Sequence, residues 1–548
     1  MELNVKKLTI LVCMVFTATL FSCGNEDRGD GSGHMYDVSI LGNPQSLDPQ
    51  YATDSASNTI IKNLYSGLMT SDKNGNILCC NAESYSISPD GLDYTFKLRE
   101  DNYWFYDEND NDIIDDDEYF PVTAKDYVFA MRRILDPEMQ SPYAEDFSCI
   151  RNGSKIISGK ELPETAGVIA VDDYTLNISL DYPCAEFLGL LATNASAPCN
   201  RDFFYSTKGR YGLDDRSVMS NGSFFVRQWF YDPYGVNNIL YMKKNAVNNT
   251  DNNEIIPSYL SFTIESDEND IRTMFRNGEI ECFTTDNPDG LNKKNYIVTP
   301  YCATTLGLVF SPDDKYFSGR SIRKALALSL DREKILDSKE TDLVSAYGII
   351  PPSVTLLGRS YRELVADKQY EFYNVAEAKR CFKVAEAEIQ SESIEEAKIL
   401  VCSGTIDPDY LHKISESWQE TFGIYIGIDE VTPSEFRYRI AENDYNIALY
   451  PLKASYNSGL AVIEEFSKDD CLSYSIDVDD LVDEIRRCTD ASELVDCYCN
   501  QESKILDKYC FIPLFYKNSY FVMNDDNEDI IYDPFTGAVD FRIAKNYN

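Results

Sequence analysis

Only one stretch of the 548 residues is continuously apolar, the 14 residues from Leu8 to Phe21, and nothing later in the chain matches it. A run of that length falls short of the roughly 20 residues that a spanning helix needs. Everything after it must therefore bury its own core in water. Lys6 and Lys7 precede the run and Leu20-Phe21-Ser22-Cys23-Gly24 closes it, the arrangement of a signal peptide. Residues 24–35 (GNEDRGDGSGHM) are polar and glycine-rich and predict a flexible tether.

Past the tether, strand-like and helix-like segments alternate without a repeat of 20–50 residues, which disfavours solenoids and propellers. Strands are predicted at Tyr36–Ile40, Tyr94–Leu98, Val168–Val171, Thr175–Leu180, Phe224–Phe230, Ile239–Met242 and Leu260–Ile264. Further strands are predicted at Ala397–Val401, Tyr425–Ile428 and Asn446–Tyr450. Helices are predicted over Asn58–Met69, from Thr123 to Asp136, and over Ser321–Ile335, Val375–Gln390, Tyr410–Phe422 and Ser492–Leu506. Mixed order of this kind predicts an α/β body of several lobes. Lys+Arg 50 against Asp+Glu 91 leaves a net charge of −41, which repels phosphate backbones and excludes nucleic acid as the expected partner.

No GxSxG, HExxH or P-loop pattern occurs. Ser321 and Lys324 match SxxK, but the SDN and KTG partners of an acyl enzyme are missing, so the pair marks a helix start. With only His34 and His412, imidazole-based triads are all but excluded, and no catalytic residue is assigned. Of 16 Cys, Cys13 lies in the signal segment, and no CxxC occurs, so closed zinc sites are poorly supported. The cysteines read as buried thiols with one or two disulfides. Residues 107–118 (DENDNDIIDDDE) place Asp107, Asn109, Asn111, Asp115 and Glu118 at EF-hand ligand positions, with Asp112 where glycine belongs. The flanks YWFY and YFPVT are strand-like, so the segment reads either as a structural calcium loop or as a solvated acidic hairpin. No other cofactor is expected.

A series of motifs in fixed order is more specific. PQSLDP (44–49), NLYSGLM (63–69), ISPDGLDYTFKLRED (87–101), PVTAKDYVFAMRRILDP (121–137) and SPYA (141–144) are followed by GVIAVDDYTLNISL (167–180) and SNGSFFVRQW (220–229). SIRKALALSLDREKIL (321–336), YGIIPPSV (347–354), FIPLFY (511–516) and DPFTGAVDF (533–541) complete it. The series resembles the extracytoplasmic solute-binding proteins of oligopeptide ABC importers. Leu20 to Gly24 likewise resembles a bacterial lipobox, which implies that Cys23 becomes the lipidated first residue after a signal peptide of residues 1–22, with residues 23–35 as tether.

The resemblance implies a type II, two-lobed periplasmic-binding-protein-like clamp with an additional domain. Residues 36–65, 201–302 and 517–548 would form one discontinuous lobe, 66–200 the additional domain and 303–516 the second lobe. It also implies a monomer, lipid-anchored on the extracytoplasmic face of a bacterial membrane, that captures an oligopeptide by hinge closure and delivers it to the transmembrane subunits of an ABC permease. Strand edges in such a cleft bond the backbone that every peptide shares.

Ligand contacts are expected from Thr53 and Ser55 after LDP, Tyr143 in SPYA, Asn221 and Gly222, and Thr304 and Thr305 at the crossing between lobes. The clearest departure lies at 446–458. Family members that take free peptides carry Trp-x-x-Asp-Tyr there, the Asp pairing with the ligand ammonium. This chain has Leu452-Lys453-Ala454-Ser455-Tyr456, and Ser455 supplies no charge. Ala454, Ser455 and Tyr456 remain expected contacts. Either another carboxylate serves, or the amine stays wet, or the ligand is non-peptide or N-blocked. A secreted carboxylate hydrolase is the alternative from a different class.

Overall fold

The computed structural model describes residues 33–547 except 110, 112–114, 236, 249–254, 292–293, 315, 337–341, 367–371, 388–395, 469 and 474–477. The apolar run, Cys23, the tether as far as residue 32, Asp112 and the last residues of the helix expected to reach Gln390 lie outside these. The tether expectation is corrected at its end. The Gly33 amide bonds the Ile256 carbonyl at 2.9 Å, the Ser258 amide bonds the His34 carbonyl at 3.0 Å, and the first strand starts at Met35. Backbone pairing there removes the freedom that glycine and polar composition suggested.

In chain order, the strands of the three larger sheets are β1 (Met35–Leu41), β2 (Ala82–Ile87), β3 (Asp93–Leu98), β4 (Val168–Asp172), β5 (Thr175–Ser179), β6 (Phe224–Phe230), β7 (Ile239–Lys244) and β8 (Tyr259–Glu265). They continue with β9 (Cys282–Thr285), β10 (Tyr296–Phe310), β11 (Leu343–Ser345), β12 (Lys398–Cys402), β13 (Gly427–Val431), β14 (Ile447–Lys453) and β15 (Phe511–Asn524). The first sheet runs β1-β8-β7-β6, with β1 and β8 parallel. Strict alternation in YLSFTIE turns Leu260, Phe262 and Ile264 into the core and leaves Ser261 and Thr263 half-exposed. The second sheet is antiparallel, β2-β3-β5-β4. The third runs β9-β15-β10-β14-β12-β13, with β11 also on β15, and its β12 is parallel to both β13 and β14.

β10 and β15 tie the molecule together, since they pair with each other over nearly their whole length. Tyr301 faces Ser519 but Thr304 faces Lys517, three steps on one strand against two on the other. This bulge coincides with the expected lobe boundaries at 302/303 and 516/517. An extra residue in one strand bends the pair locally without breaking it.

Helix α1 (Ser55–Leu64) starts at Asp54, whose carboxylate accepts from the Ser57 amide at 2.8 Å. Helix α2 (Ala124–Leu135) starts at Thr123, whose amide donates to Asp126 at 2.8 Å, and buries Tyr127, Met131, Ile134 and Leu135 completely. Each such side chain contributes about 1.5–3 kcal/mol. Arg133 in its last turn does more than complement the helix dipole. It is buried, its guanidinium bonds Asp48 at 2.5 Å and Gln50 at 2.7 Å, and it lies over the Phe204 ring at 4.0 Å. The single helix expected over Ser321–Ile335 is two, α3 (Arg320–Leu328) and α4 (Arg332–Leu336). The break lets Arg332 turn inward, where burial lowers its pKa to about 10 and Nη2 reaches the Pro513 carbonyl at 2.6 Å.

All fourteen described cysteines are free thiols, so the expected one or two disulfides are not formed here. Among the described residues no helix is long and apolar enough to cross a membrane.

Candidate functional site

In an open α/β sheet the crevice beyond the carboxyl ends of the parallel strands is where ligands sit. Here β12 ends at Cys402 and β14 at Lys453, and the turn Ser403-Gly404-Thr405 and Lys453 both line a cavity of about 530 Å³. Its opposite wall comes from Thr53, Ser55 and the loop Pro534–Gly537. Thr284, Asp286, Thr304, Lys517 and Ser519 close it along the crossing strands. A second cavity of about 290 Å³ continues under the first sheet and shares Ser55, Thr284, Asp286, Ser519, Tyr532 and Gly537 with it.

Local structure aims these groups. Ala52 is buried and Asp54 caps α1, so Thr53 and Ser55 are turned outward. Gly537, at φ +75, lies so close to Ser55 that an added Cβ would sit 2.7 Å from the Ser55 Cβ. Only glycine lets the two cavity-lining segments meet there. Tyr532 forms an aromatic wall with Phe521, stacked at 5.4 Å, and with Tyr301 at 5.1 Å. Burial pushes the Tyr532 hydroxyl up to about 12, so it stays protonated. Lys517 is paired with Asp286 at 2.9 Å. Among the described residues the Lys453 ammonium meets no hydrogen-bond or ion-pair partner. Its side chain is open to the water of the cleft, yet the surrounding walls desolvate it and lower its pKa, against the pull of Asp533 and Asp286.

Residues 80–473 match the bacterial extracellular solute-binding proteins, family 5 Middle. The chain belongs to this family of solute-binding proteins. It is 23% identical over 562 residues to the oligopeptide-binding protein OppA of Bacillus subtilis (strain 168), covering 98% of each chain. Its fold matches Listeria monocytogenes OppA bound to peptide (TM-score 0.70, 23% identity, 94% and 99% of the two chains). It also matches Haemophilus influenzae OppA in complex with RPPGFSPFR (TM-score 0.71, 20% identity, 95% and 100% of the chains). The fold is the two-lobed α/β clamp with an additional domain.

The family 5 clamp brings only part of the expected site together. Thr53, Ser55 and Thr304 stand on the cleft wall. Thr305 does not, because strand alternation turns it inward, fully buried, to donate to the Ile349 carbonyl at 2.8 Å. Tyr143 is half-buried outside the cavity lining and gives its hydroxyl to the Ala52 carbonyl, bracing the segment that carries Thr53. Asn221 and Gly222 are buried in the scaffold. The Asn221 amide donates to the Ser66 carbonyl at 2.9 Å, and Gly222 packs where a Cβ would strike the Leu64 backbone at 2.6 Å. Ala454 and Tyr456 are buried, and Ser455 is absent from the lining, its hydroxyl buried without a partner. At this corner the residue that faces the cleft is Lys453, with Pro451 on the same side of the strand.

Behind that corner lies a drier junction. Ser458 donates to Glu186, and the start of helix α5 (Gly459–Lys468) and the Tyr498 hydroxyl act on the same carboxyl electrostatically. Ser458 and Tyr498 are fully buried. Protein crowds the Glu186 carboxyl so closely that burial raises its pKa despite these groups.

Asp107, Asn109, Asn111, Asp115 and Glu118 lie between two short paired strands, Tyr103–Phe105 and Tyr119–Pro121, not between helices. The side-chain amides of Asn109 and Asn111 donate to Asp115 at 2.8 and 3.1 Å, and Glu118 accepts the Glu108 amide at 3.0 Å. Among the described residues no group of three or more His, Cys, Asp or Glu is arranged to hold a metal.

Asp286, Ser403–Thr405, Lys453 and Pro534–Gly537 escaped the sequence reading. They come from four separated segments; Pro534–Gly537 and Lys453 lie in segments already singled out, but no local pattern marks these residues as facing one cavity.

Proposed function

We propose that the protein is the receptor of an ABC importer for oligopeptides, anchored by lipid at Cys23 and working as a monomer that closes around an extended ligand and releases it unchanged. The observation that carries this is the polar cavity of about 530 Å³ at the carboxyl ends of β12 and β14, faced by Thr53 and Ser55. Exposed backbone and small hydroxyls suit a ligand recognised mainly by its main chain. Waters in the remaining space tolerate varied side chains. The match to family 5 and to peptide-binding relatives supports the same reading.

Titration with a mixed peptide library, followed by heat of binding and X-ray scattering, tests it. One-to-one binding with a smaller radius of gyration and intact peptide recovered afterwards is expected. Cleaved peptide would replace the receptor by a hydrolase, and binding without compaction would remove hinge closure. Cys23→Ala is expected to move the protein from the membrane fraction to the soluble fraction.

A further inference from the structure

Among the described residues, the charged ones on the wall of the cavity of about 530 Å³ are two lysines and one aspartate, in a chain whose net charge is −41. Lys517 is already matched by Asp286 at 2.9 Å. Lys453 is therefore the unmatched charge of the cleft. It stands at the last position of β14, opposite Thr304, on the strand face shared with Pro451, while Leu452 and Ala454 point into the core. The two carboxylates that pull on it, Asp533 and Asp286, act only through space. Asp533 already accepts the Phe535 amide at 2.9 Å and the Thr536 hydroxyl at 2.6 Å.

We propose that Lys453 selects the ligand by charge, receiving a carboxylate of the extended solute and disfavouring any solute that places a free ammonium there. This rests on the peptide reading above and names its substrate class: acidic peptides or peptides whose amine is blocked. A cation held between two desolvating walls gains most from an anion that enters with the ligand, because water is displaced as the pair forms. A ligand ammonium at the same place would meet a like charge with little solvent to screen it. The carboxylate can come from the peptide's C-terminus or from a group at its other end, and the two sources are separable.

The test uses one alanine tetrapeptide in four forms: unmodified, N-acetylated, N-acetylated with a C-terminal amide, and N-succinylated with a C-terminal amide. Binding heats are measured for the wild type, Lys453→Met and Lys453→Glu, with melting curves confirming that each variant is folded. The wild type is expected to prefer at least one carboxylate-bearing blocked form over the uncharged form by about tenfold or more. If the N-acetylated acid is that form, the C-terminus is the source; if the succinyl amide is, the other end is. Lys453→Met should reduce the preference to within about threefold, and Lys453→Glu should favour the form with a free amine. An uncharged form bound as tightly as the anionic ones, or a preference unchanged in Lys453→Met, overturns this inference and leaves the peptide reading standing. Failure of every form to bind overturns both.

Discussion

The cleft and the junction at Glu186 lie on either side of the segment 453–460, yet they treat polar groups in opposite ways. In the junction one carboxyl accepts from a fully buried serine hydroxyl of the same chain. In the cleft, Lys453 has no partner among the described residues and Thr53 and Ser55 are turned to solvent. A buried polar group left unmade costs far more than an exposed one. The junction therefore supports the fold, and the cleft keeps its unmade interactions for a guest.

Breaking the junction should have the largest effect. Glu186→Ala leaves the buried Ser458 hydroxyl without its acceptor in a crowded place and is expected to lower unfolding stability by about 1–3 kcal/mol in urea denaturation. A loss below about 1 kcal/mol would mean that water replaces the carboxyl.

The neighbouring threonines of β10 carry the same contrast at smaller scale. Thr305→Val removes a buried bond to Ile349 and is expected to cost about 1 kcal/mol. Thr304→Val, on the cleft side, should stay within about 0.5 kcal/mol while weakening peptide binding. Equal losses from the two would erase the distinction between scaffold and wall.

Acidity sharpens it further. Burial raises the Glu186 carboxyl above its ordinary value. The folded state thus holds this proton more firmly than the unfolded chain does. Its stabilising contribution is complete below the unfolded carboxyl pKa and disappears as pH rises through the folded one. The melting temperature of Glu186→Gln relative to the wild type is therefore expected to climb from pH 4 to pH 7. A falling difference would put the Ser458 hydrogen bond ahead of burial.

Ser55→Ala closes the order, with stability unchanged within about 0.5 kcal/mol. Gly537 already fits against the Ser55 Cβ, which the alanine keeps.

Where local chemistry decides, the sequence was readable. Tyr94–Leu98 and the Thr123 helix start need only alternation, a cap and a stop. The helix break before Arg332 was hidden, because the pull on that guanidinium is the carbonyl of Pro513, distant in sequence. Likewise the motif around 452–456 drew the eye to Ser455, the residue in the place of a missing charge. The strand instead presents Lys453, and only the pairing of β14 with β10 reveals which side of it faces the cleft. Asn221 is expected to meet ligand, but its partners, Ser66 and Asn102, stand more than a hundred positions away and hold it in the scaffold.

The bulge between Tyr301 and Thr304 has a mechanical corollary. A ribbon of two hydrogen-bonded strands flexes readily across its flat side but resists being sheared in its own plane. A reporter dye pair placed to follow the proposed motion should therefore straddle the mouth of the molecule, where travel is greatest, rather than flank this ribbon, where the separation hardly alters.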